Sequence, residues 1–331
     1  MLAILESYIR HFGGTSQPAA WVSGFFGSGK SHLLKMLCHL WVDTEFPDGS
    51  RARSLPRDLP DALVANLKEL DTLGRRYGGL HSASGTLPSG ANVSVRLTVL
   101  GMIFRSKGLP EKFAQAKFCL YLKNNGFYDK VKAAVESKGK DFFRELNDLY
   151  VSPILHDALV EVDSGFGDRK AARATIKTEF VQPNDVSTKE FIETIREVIS
   201  VHGQLPCTII VLDEVQVYIG EEQDRARDVV EVAEALSKQL DCRIVVIGAG
   251  QNALSAQAPH FQWLKDRFTI PVELSDTEFE TVTRRVLLQK EPKHVPDIRK
   301  CLDLHAGEIQ RQLSGTRIAS TSNDRNIIVE D

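Results

Sequence analysis

The sequence contains no apolar run approaching the roughly 18 residues that a bilayer-spanning helix requires. The amino-terminal MLAILESYIRHF carries Glu6 in its first turns and lacks the basic-then-apolar pattern of a secretory signal. A cytoplasmic protein with no membrane partner is expected. Cysteine is scarce: the five residues Cys38, Cys119, Cys207, Cys242 and Cys301 are odd in number, far apart, and form neither CxxC nor a Cys/His metal spacing. A disulfide framework and a structural zinc site are therefore not expected, and the thiols read as buried groups of a reducing compartment. No excess of one charge exists either, with 41 basic residues against 44 acidic ones and a net charge of −3. Such a chain lacks the overall electrostatic footprint of a nucleic-acid binder, so DNA binding has no support from net charge. Internal repeats are also missing.

What is present is a globular composition, with 42% hydrophobic and 26% charged positions among 331 residues. A chain of this length buries a large core without covalent staples. The segment AAWVSGFFGSGKSHLLKMLCHL, from Ala19, runs from an apolar stretch through glycines into Leu33, Leu34, Leu37 and Leu40 at helical spacing, which reads as strand, loop, helix. CTIIVLDEVQVYIG, from Cys207, is continuously apolar up to Asp213, as a strand covered on both faces should be. Val229, Ala233, Leu236 and Leu240 then recur at helical spacing, followed by the apolar runs RIVVIGAG and FTIPVEL. This alternation predicts an α/β class with a mostly parallel sheet and crossover helices on both faces.

Four segments are expected. Residues 1–47 form the first part of the core; residues 48–204 form a mostly helical insertion; residues 205–275 complete the core; residues 276–331 begin a helical lid and end in a polar tail. In the insertion, Leu63, Leu67 and Leu70 share a helical face, as do Phe142, Leu146 and Leu149, and Ser187 with Glu190 forms a capping box ahead of Phe191, Ile195 and Val198. ANVSVRLTV alternates Val93, Val95, Leu97 and Val99 with polar neighbours, predicting a strand near 91–99. RYGGLHSASGTLPSGA and VDSGFGDRK, rich in turn residues, read as exposed loops.

The chemistry concentrates in two places. Gly24-Phe25-Phe26-Gly27-Ser28-Gly29-Lys30-Ser31 satisfies GxxxxGK[ST] after a strand and before a helix, the context in which that pattern cradles phosphates. A chance match in this length is on the order of one in a hundred. Gly24, Gly27 and Gly29 would shape a loop whose amides, with Ser28, converge on phosphate. Lys30 would reach the β and γ phosphates, Ser31 would ligate magnesium, and His32 follows on the same helix start. A lone helical histidine such as His32 or His39 is otherwise an ordinary surface or packing residue, and Trp21 and Trp41 read as core residues. The strand Ile209–Leu212 delivers Asp213 and Glu214 to the sheet edge where such folds bind ligands. Asp213 would hold the metal through water, and Glu214 would act as general base toward the attacking water. Standing alone, that acidic pair would read as a helix cap.

Gln251, just after RIVVIG, stands where additional-strand ATPases of the AAA+ class place a polar residue that senses the γ phosphate; the alternative is a loop amide. Arg267, before the last strand, resembles the AAA+ position of an arginine finger reaching a neighbour's site; the alternatives are a surface ion pair or a cation at a helix end. Gln312-Leu313-Ser314-Gly315 follows rather than precedes the acidic strand, the wrong order for a transporter-type ATPase, and a guanine-reading NKxD motif is missing.

WVSGFFGSGKSHLLKML, LDEVQVYIG and LKDRFTIPVELSDTEFETVTRRVLLQK resemble the P-loop ATPase of bacteriophage-exclusion (BREX) systems, the BrxC/PglY type. GGLHSASGTLPSGANVSVRLTVLGMIFRSKGLPEKFAQAKF is closer to the PglY branch. The resemblance implies an AAA+-like P-loop NTPase fold, ATP with Mg2+ as ligands, a homo-oligomer, and antiphage defence alongside a DNA methyltransferase and a phosphatase-like protein. Members of that family are several times longer, so the chain is expected to be a piece or a shortened form with an incomplete lid. The expectation is thus an ATP-hydrolysing motor or switch. The alternative is a nucleotide-gated assembly scaffold with little hydrolysis of its own.

Overall fold

The computed structural model describes residues 1–25, 27–56, 59–90, 94–254, 259–274 and 292–314. Five strands, β1 (Ala20–Ser23), β2 (Leu80–Thr86), β3 (Cys207–Asp213), β4 (Ile244–Gly250) and β5 (Ile270–Glu273), form one sheet in the order β2-β3-β4-β1-β5. Every pairing is parallel. All carboxyl ends therefore lie on one edge, where Ser23, Thr86, Asp213, Gly250 and Glu273 end their strands.

The apolar runs are continuous because both faces of the sheet are covered. Ala20 and Val22 of β1, Ile209 and Val211 of β3, and Val245 and Ile247 of β4 pack on one side with α1 (Leu2–His11), α2 (Lys30–Val42) and α3 (Asp61–Arg76). Trp21, Ile210, Leu212, Ile244 and Val246, the alternate positions, enter a larger cluster on the other side. That cluster is built with α4 (Val95–Ser106), α5 (Phe113–Asn124), α6 (Tyr128–Ser137), α7 (Phe142–Asn147), α8 (Pro153–Val162), α9 (Arg169–Glu179), α10 (Thr188–Ile199) and, beyond the short α11 (Val215–Ile219), α12 (Gln223–Gln239). A last helix of this unit, α13 (Pro259–Lys265), precedes β5. Local capping explains several helix starts: Ser94, Asp141, Ser152, Asp168 and Ser187 each accept the amide three residues on. Ser187 does so from Glu190, as the capping-box spacing predicts.

Two expectations for residues 48–204 are corrected. No strand occupies 94–99: those residues enter α4, and residues 91–93 lie outside the described residues. Alternation over four positions fits a helix as well when Val95, Val99 and Ile103 continue the pattern at a spacing of four. The strand lies instead at Leu80–Thr86, within the segment read as a loop. Its small residues suit a strand held between helices: a Cβ at Gly85 would stand 2.8 Å from the Met102 side chain of α4. Pairing with β3 along its whole length supplies the backbone partners that LHSASGT lacks in side-chain signal. The 48–204 stretch therefore donates a sheet strand.

Met1–Leu274 form one compact unit and Ser275–Asp331 form a second. In the second, the helix Val295–Ser314 is described; residues 275–291 and 315–331, with the rest of the expected lid, lie outside the described residues. Among the described residues no helix is long and apolar enough to cross a membrane.

Candidate functional site

The loop between β1 and α2 begins at Gly24, where a Cβ would stand 2.6 Å from Ser28 Oγ and 3.1 Å from the Leu274 side chain. Only a glycine lets the two ends of the loop approach in this way. Gly27 and Gly29 take φ of 86° and 87°, the left-handed region that side chains avoid. Gly29 is the N-cap of α2 and offers no side-chain cap, so the first amides of that helix carry no intrahelical partner. Such orphan donors, with the positive end of the helix dipole, form a place for an anion. Ser28 Oγ is buried beside them, with no partner among the described residues.

Lys30 folds back over the loop, its Nζ donating to Gly24 O at 2.6 Å and Phe25 O at 2.9 Å. Desolvation holds its pKa below the ordinary lysine value, and nearby Asp213 opposes that shift. Ser31 Oγ donates to Asp213 Oδ2 at 2.7 Å, while Asp213 Oδ1 accepts the Glu214 amide at 2.9 Å. Both carboxylate oxygens of Asp213 are thus directed by neighbours. Glu214 has φ 57° and ψ 29°, a left-handed conformation uncommon for a residue with a side chain. Its exposed carboxylate makes no hydrogen bond among the described residues.

These groups line one pocket of about 330 Å³ at the carboxyl edge of the sheet, with Gly27, Gly29, Lys30, Ser31, His32, Asp213, Glu214 and Gln251 in its wall. Gly24 and Ser28 build the loop behind it; Phe26 lies outside the described residues. The structure thus brings the two halves of the candidate site together from strands separated by β4. Gln216 was not singled out by sequence reasoning. It also lines the pocket, and its Oε1 accepts the amides of Gln251 and Asn252 at 2.7 and 2.9 Å. Its signal was its place two residues past the acidic pair, on the first turn of a helix that begins at the sheet edge.

Arg267 is not brought into the pocket. Its carbonyl accepts the Ala19 amide at the opening of β1, the opposite edge of the sheet. The guanidinium donates to Ser16 Oγ at 2.8 Å and Gln17 O at 2.6 Å, and burial lowers its pKa.

The donor set fits a magnesium ion carried by a phosphate ligand. Mg2+ retains waters and takes one or two protein oxygens besides phosphate oxygens, and Ser31 and Asp213 provide two adjoining ones. Among the described residues no group of three or more His, Cys, Asp or Glu side chains is placed to hold a metal. An ion there would depend on the phosphate ligand and water for its remaining positions. No protein-family model matches the chain.

Proposed function

We propose that the chain binds ATP with Mg2+ and hydrolyses it, as an AAA+-like P-loop ATPase. The observation that carries this reading is the Ser31–Asp213 hydrogen bond, which sets the phosphate-loop motif against the acidic strand in one pocket. The position of β4 between β1 and β3 agrees with the additional-strand class.

In this reading the amides at the start of α2 bind the phosphates, and Lys30 leaves its carbonyl partners to meet their charge. Ser31 and Asp213 hold Mg2+, which when bound neutralises charge on the phosphate oxygens. Glu214, whose carboxylate in the pocket wall makes no hydrogen bond among the described residues, takes the proton of the water that attacks the terminal phosphorus, and the bond to the ADP oxygen breaks. The role in a BREX-type antiphage system, with a homo-oligomer, a methyltransferase and a phosphatase-like partner, rests on the sequence resemblance alone. Replacing Glu214 with Gln should leave ATP binding within a few-fold and lower turnover by about 10²–10⁴-fold. Equal loss of binding would overturn the assignment.

One observation favours the second reading, a nucleotide-gated scaffold. The Arg267 guanidinium is engaged within its own chain, so a finger for a neighbouring site is not on offer in this conformation. A scaffold requires nucleotide-dependent partner capture that Lys30→Ala abolishes and Glu214→Gln preserves. Capture insensitive to nucleotide would remove it.

A further inference from the structure

Gln216 is fixed more firmly than a pocket glutamine needs to be for packing. Its Oε1 accepts two backbone amides, from Gln251 at 2.7 Å and Asn252 at 2.9 Å. Backbone amides only donate, so the oxygen and nitrogen of this carboxamide are not interchangeable. The oxygen faces the loop after β4, and the NH2 is left without a partner among the described residues. Two further features hold the arrangement. A Cβ at Gly250 would lie 3.0 Å from Gln216 Oε1 and 2.4 Å from the Trp21 ring, so glycine there admits both side chains. From the other side, Trp21 Nε1 donates to Asn252 O at 3.0 Å. The loop after β4 is thus clamped between β1 and α11.

We propose that Gln216 donates its side-chain NH2 to the terminal phosphate of a bound nucleoside triphosphate, and so distinguishes triphosphate from diphosphate. The inference rests on the ATP-site reading and deepens it. It moves the sensing contact from the Gln251 side chain, expected from the sequence, to a residue on the acidic-strand side of the pocket. Gln251 then acts through its backbone, as one of two amides that orient the carboxamide. The pocket wall supplies the geometry: Gln216 shares it with Lys30, Ser31 and Glu214. A donor held in advance loses little freedom on binding, and a hydrogen bond to a phosphate oxygen is of the stronger, charge-assisted kind.

The test measures equilibrium affinities for ATP and ADP, with magnesium, in the full chain and in Gln216→Met, Gln216→Glu and Lys30→Ala. Methionine keeps the length and removes both polar atoms; glutamate keeps an acceptor for the Gln251 and Asn252 amides and removes the donor. The proposal expects the ATP-to-ADP preference to fall by about tenfold or more in both Gln216 variants. It also expects ADP affinity to stay within about twofold in Gln216→Met. A merely structural role moves ATP and ADP together in Gln216→Met and is rescued in Gln216→Glu; either result overturns the inference. An unchanged preference in Gln216→Met, with ATP lost in Lys30→Ala, overturns the inference and leaves the ATP site standing. Binding that Lys30→Ala does not weaken overturns the site itself.

Discussion

Ser31 Oγ donates to Asp213 Oδ2 at 2.7 Å, joining the first turn of α2 to the end of β3 across 182 residues of chain. The pair is exposed, and its worth lies in placing two oxygens together rather than in stability. Ser31→Ala and Asp213→Asn should each weaken ATP binding about tenfold with magnesium and far less with the metal chelated. The double variant should lose little more than either single one, since both oxygens serve one ion. Titrations with and without magnesium check this; additive losses that ignore the metal would refute the shared role.

Glu214 carries a backbone conformation that a glycine adopts freely, with φ at 57°. Residues held this way cluster at functional sites and cost stability there. Glu214→Gly should raise unfolding stability by about 1 kcal/mol and lower ATP turnover at least as far as Glu214→Gln does. Denaturant unfolding and a turnover assay on the same samples decide it, and a less stable glycine variant would show that the strain is absent.

His81 stands buried on β2, with Nε2 beside Ser106 Oγ at 2.8 Å. Ser106 itself donates to Ile103 O, so Nε2 carries the proton and Nδ1 is buried with no partner among the described residues. Desolvation first, and Lys107 second, hold the imidazole pKa at about 3. Unfolded histidine titrates near 6.5. The neutral ring thus contributes its full stability above that value, and the contribution is lost as pH falls from about 6.5 toward 3, by up to ~1.4 kcal/mol per unit. His156, whose pKa burial lowers while Nε2 donates to Leu149 O, acts in the same direction. Unfolding midpoints from pH 7.5 to 4.5 should fall less steeply in His81→Gln than in the natural chain. Parallel curves would count against this account.

Four of the five thiols are buried: Cys38, Cys119, Cys207 and Cys242. Burial raises all four pKa values, to about 11 for Cys38 and about 12 for Cys119. Cys301, on the helix Val295–Ser314, is exposed. Because thiolates are the reactive form, a thiol reagent at pH 7.5 should label one cysteine quickly in the native chain and five in denaturant. Rapid labelling of two or more without denaturant would contradict the packing around β1 and β3.

The central strands were legible because burial on both faces leaves a continuous apolar run, as in CTIIVLD and IVVIGAG. The loop between β1 and α2 was legible because its glycines act through the backbone, with Gly27 and Gly29 at positive φ, which residue type alone reveals. β2 was hidden for the opposite reason. LHSASGT has few large apolar residues, and its place depends on β3 and on Met102, which are distant in sequence. Gln216 was hidden likewise, since its carboxamide is oriented only by the two amides that Gln251 and Asn252 bring to it. Arg267 was placed by its position before β5 alone, and that position carried no signal of the hydrogen bonds its guanidinium makes to Ser16 and Gln17, some 250 residues earlier.

The most direct test of the proposed ATP site is calorimetric titration of the chain with ATP and magnesium, set beside Lys30→Ala. Saturable binding at one site per chain, weakened about tenfold or more by the substitution, is the predicted result. No binding to the natural chain, or equal binding to both, would contradict the account.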